Sequence, residues 1–198
     1  MRCFLAFEIP ADIKEYLAEA SRSMAKKMPG VRWGKPDGQH ITIHFFGEIP
    51  EVRVEEIKDV LKECGPYERV MASLKAVDAF PDKRRPRVVV ATLDEGVDII
   101  RSIYHDIVNR LTALGYEKEK RGYSPHITFG RMKIPAPILE RDIVHLECPR
   151  FAIDRIVLFK SNLGREGATY EPLFELNLRA VPHGDAGGNA KDHEKGET

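Results

Sequence analysis

The tripeptide His-Ile-Thr occurs twice, as His40-Ile41-Thr42 and as His126-Ile127-Thr128. The first copy continues Ile43-His44-Phe45-Phe46-Gly47 and the second Phe129-Gly130-Arg131, so each leads into an aromatic residue and a glycine. In an extended strand, side chains at i and i+2 share a face. Each copy then presents an imidazole beside a hydroxyl and turns Ile41 or Ile127 into the core. Two such strands brought together surround one pocket with two histidines and two threonines. Imidazoles titrate near neutrality, so one can take a proton while the other gives one. That set suits in-line chemistry on a phosphate ester.

Other residue types near these copies are candidates for the same pocket. Arg131 follows His126 by five positions. A guanidinium grips phosphate oxygens bidentately, and its charge suits a pentavalent transition state; the plainer reading is a surface arginine at a strand end. On a regular strand His44 shares the face of His40 and Thr42, which makes it a pocket candidate. His40 and His44 do not by themselves make a zinc site, because no third or fourth ligand stands out, so no metal is expected. Phe46, Tyr123 and Trp33 could stack on a base or ribose, although aromatics near strand ends more often pack. Pro81-Asp82-Lys83-Arg84-Arg85-Pro86-Arg87 is a loop by its prolines. Its Arg84 and Arg87 are candidates to line the pocket or track an RNA backbone, against the reading of a charged, solvated turn. There is no Walker-type loop and no GxGxxG, so neither a nucleoside triphosphate nor a dinucleotide cofactor is indicated.

The elements that must carry these residues follow from pattern. Strands are predicted over Cys3 to Ile9, Val31 to Trp33, Gln39 to Phe46, Arg69 to Phe80, Val88 to Leu93, the second His-Ile-Thr segment, Arg150 to Lys160 (with a phase slip) and Tyr170 to Leu178. Amphipathic helices are predicted over Ala11 to Met28, Val52 to Cys64 and Val97 to Leu114, with a short helix over Pro137 to Leu146. Each half thus runs strand, helix, His-Ile-Thr strand, helix, strand, an internal duplication of architecture. The two histidines are expected across a pseudo-twofold cleft. Residues 1–182 read as one two-lobed domain whose lobes need not be contiguous halves. Residues 183–198 are Gly-rich and charged and read as a disordered tail.

Composition narrows the classes. Lys plus Arg number 31 and Asp plus Glu 31 among 198 residues, a formal net charge of zero. That argues against a strong bulk field for long nucleic acid and leaves room for local patches. Cys3, Cys64 and Cys148 are scattered, with no CxxC, which argues against a disulfide framework and fits a reducing, cytoplasmic setting. The apolar run at the start is short for a signal peptide, and no stretch reaches a membrane span.

HITIHF (His40 to Phe45) and HITFGR (His126 to Arg131) resemble the paired HxTxxF and HxTxxR motifs of the two-histidine phosphoesterase superfamily. Within it the chain is similar to the RNA 2′,3′-cyclic phosphodiesterases, also called 2′-5′ RNA ligases. The stretches RCFLAFEIP, RRPRVVVATL and FKSNLGREGATYEPL also look like that family, and the resemblance covers residues 1 to 180. It implies an α/β (α+β) fold, bilobal, with two antiparallel sheets facing a central cleft and helices outside. It implies hydrolysis of a 2′,3′-cyclic phosphate at RNA 3′ ends to a 2′-phosphate, with tRNA-like fragments among the candidate substrates. By position, His40 would be the general acid for the leaving 3′-oxygen and His126 the base for water. Thr42 and Thr128 would bind the non-bridging oxygens, and Arg131 the phosphate. No metal, ATP or other cofactor is implied, and a monomer is expected. The reverse reaction joins a cyclic phosphate to a 5′-hydroxyl. The residues alone leave open which histidine is acid. They also leave open a small cyclic nucleotide or ADP-ribose cyclic phosphate as substrate, and a non-catalytic RNA- or nucleotide-binding module.

Overall fold

The computed structural model describes residues 1–119, 122–133, 136–139, 144–164 and 167–180. In chain order these form β1 (Arg2–Glu8), α1 (Ala11–Ala25), β2 (Val31–Trp33), β3 (His40–Glu48), α2 (Glu51–Lys62), β4 (Val70–Ala72), β5 (Leu74–Phe80), β6 (Val88–Leu93), α3 (Val97–Leu111), β7 (His126–Met132), β8 (Phe151–Ile153), β9 (Arg155–Gly164) and β10 (Gly167–Asn177). The helices form where apolar residues recur every three or four positions. Ile13, Leu17 and Met24 of α1, Val54, Ile57 and Leu61 of α2, and Ile100, Ile103, Ile107 and Leu111 of α3 are all buried. They share one core with Cys3, Leu5 and Phe7 of β1 and with Ile41 and Ile127. Full burial of one such side chain is worth about 1.5–3 kcal/mol, enough in sum to hold the helices against that face of the sheet. None of the described helices is long and apolar enough to cross a membrane.

The main sheet is antiparallel in the order β10-β9-β1-β3-β7-β6-β5, with β2 paired to β7. Its two halves, β10-β9-β1-β3 and β7-β6-β5, meet at the register pair Ile41↔Ile127. The expected two antiparallel half-sheets are therefore one sheet, joined at the central residue of each His-Ile-Thr copy. The halves also exchange strands. β5, from the first half of the chain, pairs with β6, while β9 crosses back to β1. β4 and β8, the strands just before these, pair with each other in a second small sheet.

This exchange explains two departures from the predicted elements. The run Arg69 to Phe80 breaks at Ser73, because its first part pairs with β8 and its second with β6. The phase slip in Arg150 to Lys160 is a break at Asp154, for the same reason. The predicted helix over 137–146 is not present in its described residues, 137–139 and 144–146. The stretch 144–146 instead lies along β5, with Val77 N–H donating to Val144 and Leu146 N–H to Lys75. An unpaired sheet edge offers hydrogen bonds that outweigh a weak helical pattern. The predicted tail over residues 183–198 lies outside the described residues.

Candidate active site

His40, Thr42, His126 and Thr128 are all half-buried and flank the Ile41↔Ile127 pair on the face away from the helices. Continuing the antiparallel register about that pair sets His40 across from Thr128, and Thr42 across from His126. Bulges decide which later residues join them. In β7, Thr128 pairs with Val90 and Gly130 with Val89, so Phe129 is an extra residue. A bulge shifts the alternation of side chains by one. Arg131, which a regular strand would turn toward the helices, thus comes to the face of His126 and Thr128. Its charge is felt at His40. Gly130 admits this arrangement, since a Cβ there would lie 2.7 Å from a Val31 methyl and 3.1 Å from the Trp33 ring.

A matching bulge at Ile43 of β3, where Ala6 pairs with Thr42 and Leu5 with His44, has the opposite consequence for His44. His44 and Phe46 turn toward the helices and cluster with Tyr116, at ring separations of 5.7 and 4.9 Å. The expected sharing of a face by His40 and His44 is therefore corrected. Phe46 is likewise not a pocket residue. Phe45, not singled out by alternation, takes the open face, 61 % exposed and next to Phe4. Among the described residues no three His, Cys, Asp or Glu side chains converge as a metal site.

The two imidazoles are held alike, each bonded to the backbone two residues before it. His126 Nδ1 lies 2.7 Å from the Ser124 carbonyl. A carbonyl can only accept, so Nδ1 carries the hydrogen and Nε2 is left for a substrate. Phe80 meets the His126 ring edge-on at 4.8 Å. Burial lowers the pKa of His126, opposed by Ser124 and by the charge of Glu119. His40 bonds the backbone of Gly38. Its ring stacks on Phe4 at 4.6 Å and meets Tyr170 at 5.6 Å. Burial pushes its pKa down to about 4, helped by Lys14, Arg131 and His126 and opposed by the Gly38 bond.

A stability effect follows, with a definite sign. The unfolded chain protonates a histidine near 6.5, and folded His40 only near 4. Between those values the unfolded chain holds the extra proton, so stability rises with pH across the window. His40's contribution is full above about pH 6.5 and lost by about pH 4, a span of about 3 kcal/mol. Denaturant titrations at pH 7.5 and 4 should show wild type losing more stability than His40→Phe by about that amount. Equal losses would show that His40 is not held neutral by its surroundings.

Tyr123 does not offer its ring to a ligand. The ring stacks flat on Tyr104 at 3.7 Å, and the hydroxyl donates to the Thr42 carbonyl at 2.9 Å. It ties the segment before β7 to the His-Ile-Thr strand of the other lobe. Tyr123→Phe is expected to cost about 1–3 kcal/mol by orphaning that carbonyl. The measurement is a denaturation midpoint; an unchanged midpoint would mean the tie carries no load. Trp33 packs against Phe129 at 5.5 Å instead of facing the cleft. Arg84 and Arg87 are exposed in the loop between β5 and β6 and do not line the cavity beside His40. Beside His40 opens a cavity of about 360 Å³, lined among others by Glu8, Lys14, Gln39, Arg155, Phe159 and Tyr170. Glu8 holds Arg155 at 2.5 Å and Lys14 at 3.5 Å on its rim.

Known proteins resemble this chain in sequence and fold. The family model described as LigT like phosphoesterase matches residues 7–90. A Methanocaldococcus jannaschii protein named RNA 2′,3′-cyclic phosphodiesterase is 32% identical over 181 residues, covering 88% of this chain and 99% of its own. A Thermotoga maritima protein of the same name is 28% identical, covering 90% and 96%. Among solved structures, a Thermus thermophilus protein superposes with a TM-score of 0.75 at 25% identity, covering 91% of this chain and 99% of its own. Escherichia coli LigT in complex with 3′-AMP shares the fold, with a TM-score of 0.77 at 18% identity over 89% of this chain and 97% of its own. With a relative so similar over nearly its whole length, and two His-x-Thr strands joined at their isoleucines, the chain belongs to the LigT-like, two-histidine phosphoesterase family.

Proposed function

We propose that the chain is a hydrolase that opens 2′,3′-cyclic phosphates at RNA 3′ ends and leaves a 2′-phosphate. The observation that carries this reading is the Ile41↔Ile127 pair, which sets one imidazole and one hydroxyl on each side of the seam between the half-sheets. A five-membered cyclic phosphate is strained, so little else is needed than one proton taken from water and one given to the 3′-oxygen. His126 is the base, its Nε2 open to the nucleophile, and His40 is the acid for the leaving oxygen. Thr42 and Thr128 donate to the non-bridging oxygens. Arg131 offsets negative charge that grows on the non-bridging oxygens as the fifth bond to phosphorus forms.

Burial disfavours an imidazolium at His40 in the free protein. The negative charge of the bound phosphate works in the other direction and draws a proton onto that ring. Phe45, exposed on the same face, is available to stack on a base. β5 closes on β6 and β9 on β1, so each half lends a strand to the other and residues 1–182 are proposed to act as one two-lobed unit. The relatives' names carry the choice of RNA over a small cyclic phosphate. The test is chelator-treated protein with a short RNA ending in a 2′,3′-cyclic phosphate. A 2′-phosphate product is expected; a 3′-phosphate, or turnover only of small cyclic nucleotides, would overturn the reading.

A further inference from the structure

The loop between β5 and β6 is a strongly basic segment in a chain of zero formal net charge. From Pro81 to Arg87 it carries Lys83, Arg84, Arg85 and Arg87 against one acid, Asp82. It is also a built loop. The Asp82 carboxylate accepts the backbone N–H of Arg84 at 2.8 Å and of Arg85 at 2.9 Å. Arg87 N–H closes the loop onto the Phe80 carbonyl at 2.7 Å, and Ile138 N–H ties the outside to Lys83 at 2.9 Å. Asp82 is thus spent on the loop's backbone, while Arg84, Arg85 and Arg87 are exposed. None of those three arginines makes a salt bridge within 4 Å to a described residue.

Both ends of the loop are anchored at one side of the catalytic cleft. It begins at Phe80, whose ring touches His126. It ends at Val88, which pairs with Arg131. Seven residues span the gap, so its tip lies within a few nucleotides' reach of the reacting phosphate. Exposed guanidiniums on an anchored backbone, with no salt bridge to a described carboxylate, are placed to neutralise backbone phosphates and release their counterions.

We propose that Arg84 and Arg85 form a phosphate track for single-stranded RNA on the His126 side of the cleft. The inference rests on the phosphodiesterase reading for where the RNA end sits, and adds a binding surface that the chemistry itself does not require. Two strands could use the track: the 5′ extension of the strand bearing the cyclic phosphate, or the strand whose 5′-hydroxyl replaces water in the reverse reaction. The shared chemistry is a run of phosphodiesters.

The experiment compares wild type with Arg84→Ala/Arg85→Ala and with the charge-reversed Arg84→Glu/Arg85→Glu. Binding of two labelled twelve-nucleotide RNAs, one ending in a 2′-phosphate and one with hydroxyls at both ends, is measured from low to moderate salt. Turnover of a 2′,3′-cyclic mononucleotide is measured in parallel. The alanine pair should weaken binding of at least one RNA about tenfold at low salt, the glutamate pair more. The slope of log K on log salt should become shallower by about 1.4, at 0.7 for each lost phosphate contact to a single strand. Mononucleotide turnover should stay unchanged. The RNA that loses affinity identifies the strand. Unchanged affinities and slopes for both RNAs would overturn the proposal. So would an equal fall in mononucleotide turnover, which would mean that the loop merely shapes the site. The binding arm needs no catalysis, so a wild type that fails to hydrolyse RNA cyclic ends would sink the phosphodiesterase reading separately.

Discussion

His40→Ala and His126→Ala are each expected to lower kcat/KM on a 2′,3′-cyclic phosphate by about 10²–10⁴-fold, the usual worth of a positioned acid or base. The double variant should lose far less than the product of the two, because the proton relay is already broken by either one. The two substitutions differ in their structural cost. His126 meets one aromatic ring, Phe80, whereas His40 is stacked on Phe4 and flanked by Phe159 and Tyr170. Removing His40 therefore opens a gap among aromatics, and His40→Phe is the better control for packing. It should fold at least as well as wild type at acid pH and still be inactive. Full activity in either alanine variant would remove that histidine from the chemistry.

Arg131→Ala should reduce kcat/KM by about 10²–10³-fold, the cost of losing one fixed group that stabilises transition-state charge. Arg131→Lys should recover only part of this, since an ammonium cannot make two parallel bonds to phosphate oxygens. A second readout separates a site role from a surface one. The Arg131 charge lowers the pKa of His40, and so do burial, Lys14 and His126. Without that charge, a nuclear magnetic resonance titration of the His40 ring should move upward toward the ordinary histidine value. Unchanged activity together with an unmoved titration would leave Arg131 as a strand-end arginine.

Much of this site was legible in the sequence because the repeated His-x-Thr needs only the two-residue period of a strand. Ile41 and Ile127 point to the core as that period demands, and their mutual pairing is the structural form of the duplication. What the period could not give is the effect of one extra residue. The bulge at Phe129 brings Arg131 to the histidines, and the bulge at Ile43 carries His44 and Phe46 away from them. Alternation alone therefore singled out His44 and missed Phe45. The paired HxTxxF and HxTxxR spacings already held the clue, since an aromatic or arginine three positions after the threonine lies on the wrong face of a regular strand. The strand exchange was hidden for a different reason. Ser73 and Asp154 interrupt otherwise continuous apolar alternation, and only long-range pairing of β4 with β8 turns each break into a corner. The stretch from 144 to 146 departs from its helical pattern because a neighbouring strand edge decides its backbone hydrogen bonds.

The dependence of kcat/KM on pH, for wild type and for each single-histidine variant, tests most directly whether two histidines from the two half-sheets share the proton transfers. Wild type should give a bell, its acid limb set by the base that must be neutral and its alkaline limb by the acid that must be charged. His126→Ala should lose the acid limb and His40→Ala the alkaline limb, each on its small residual rate. A bell that keeps both limbs in both variants would contradict a paired-histidine mechanism in this cleft.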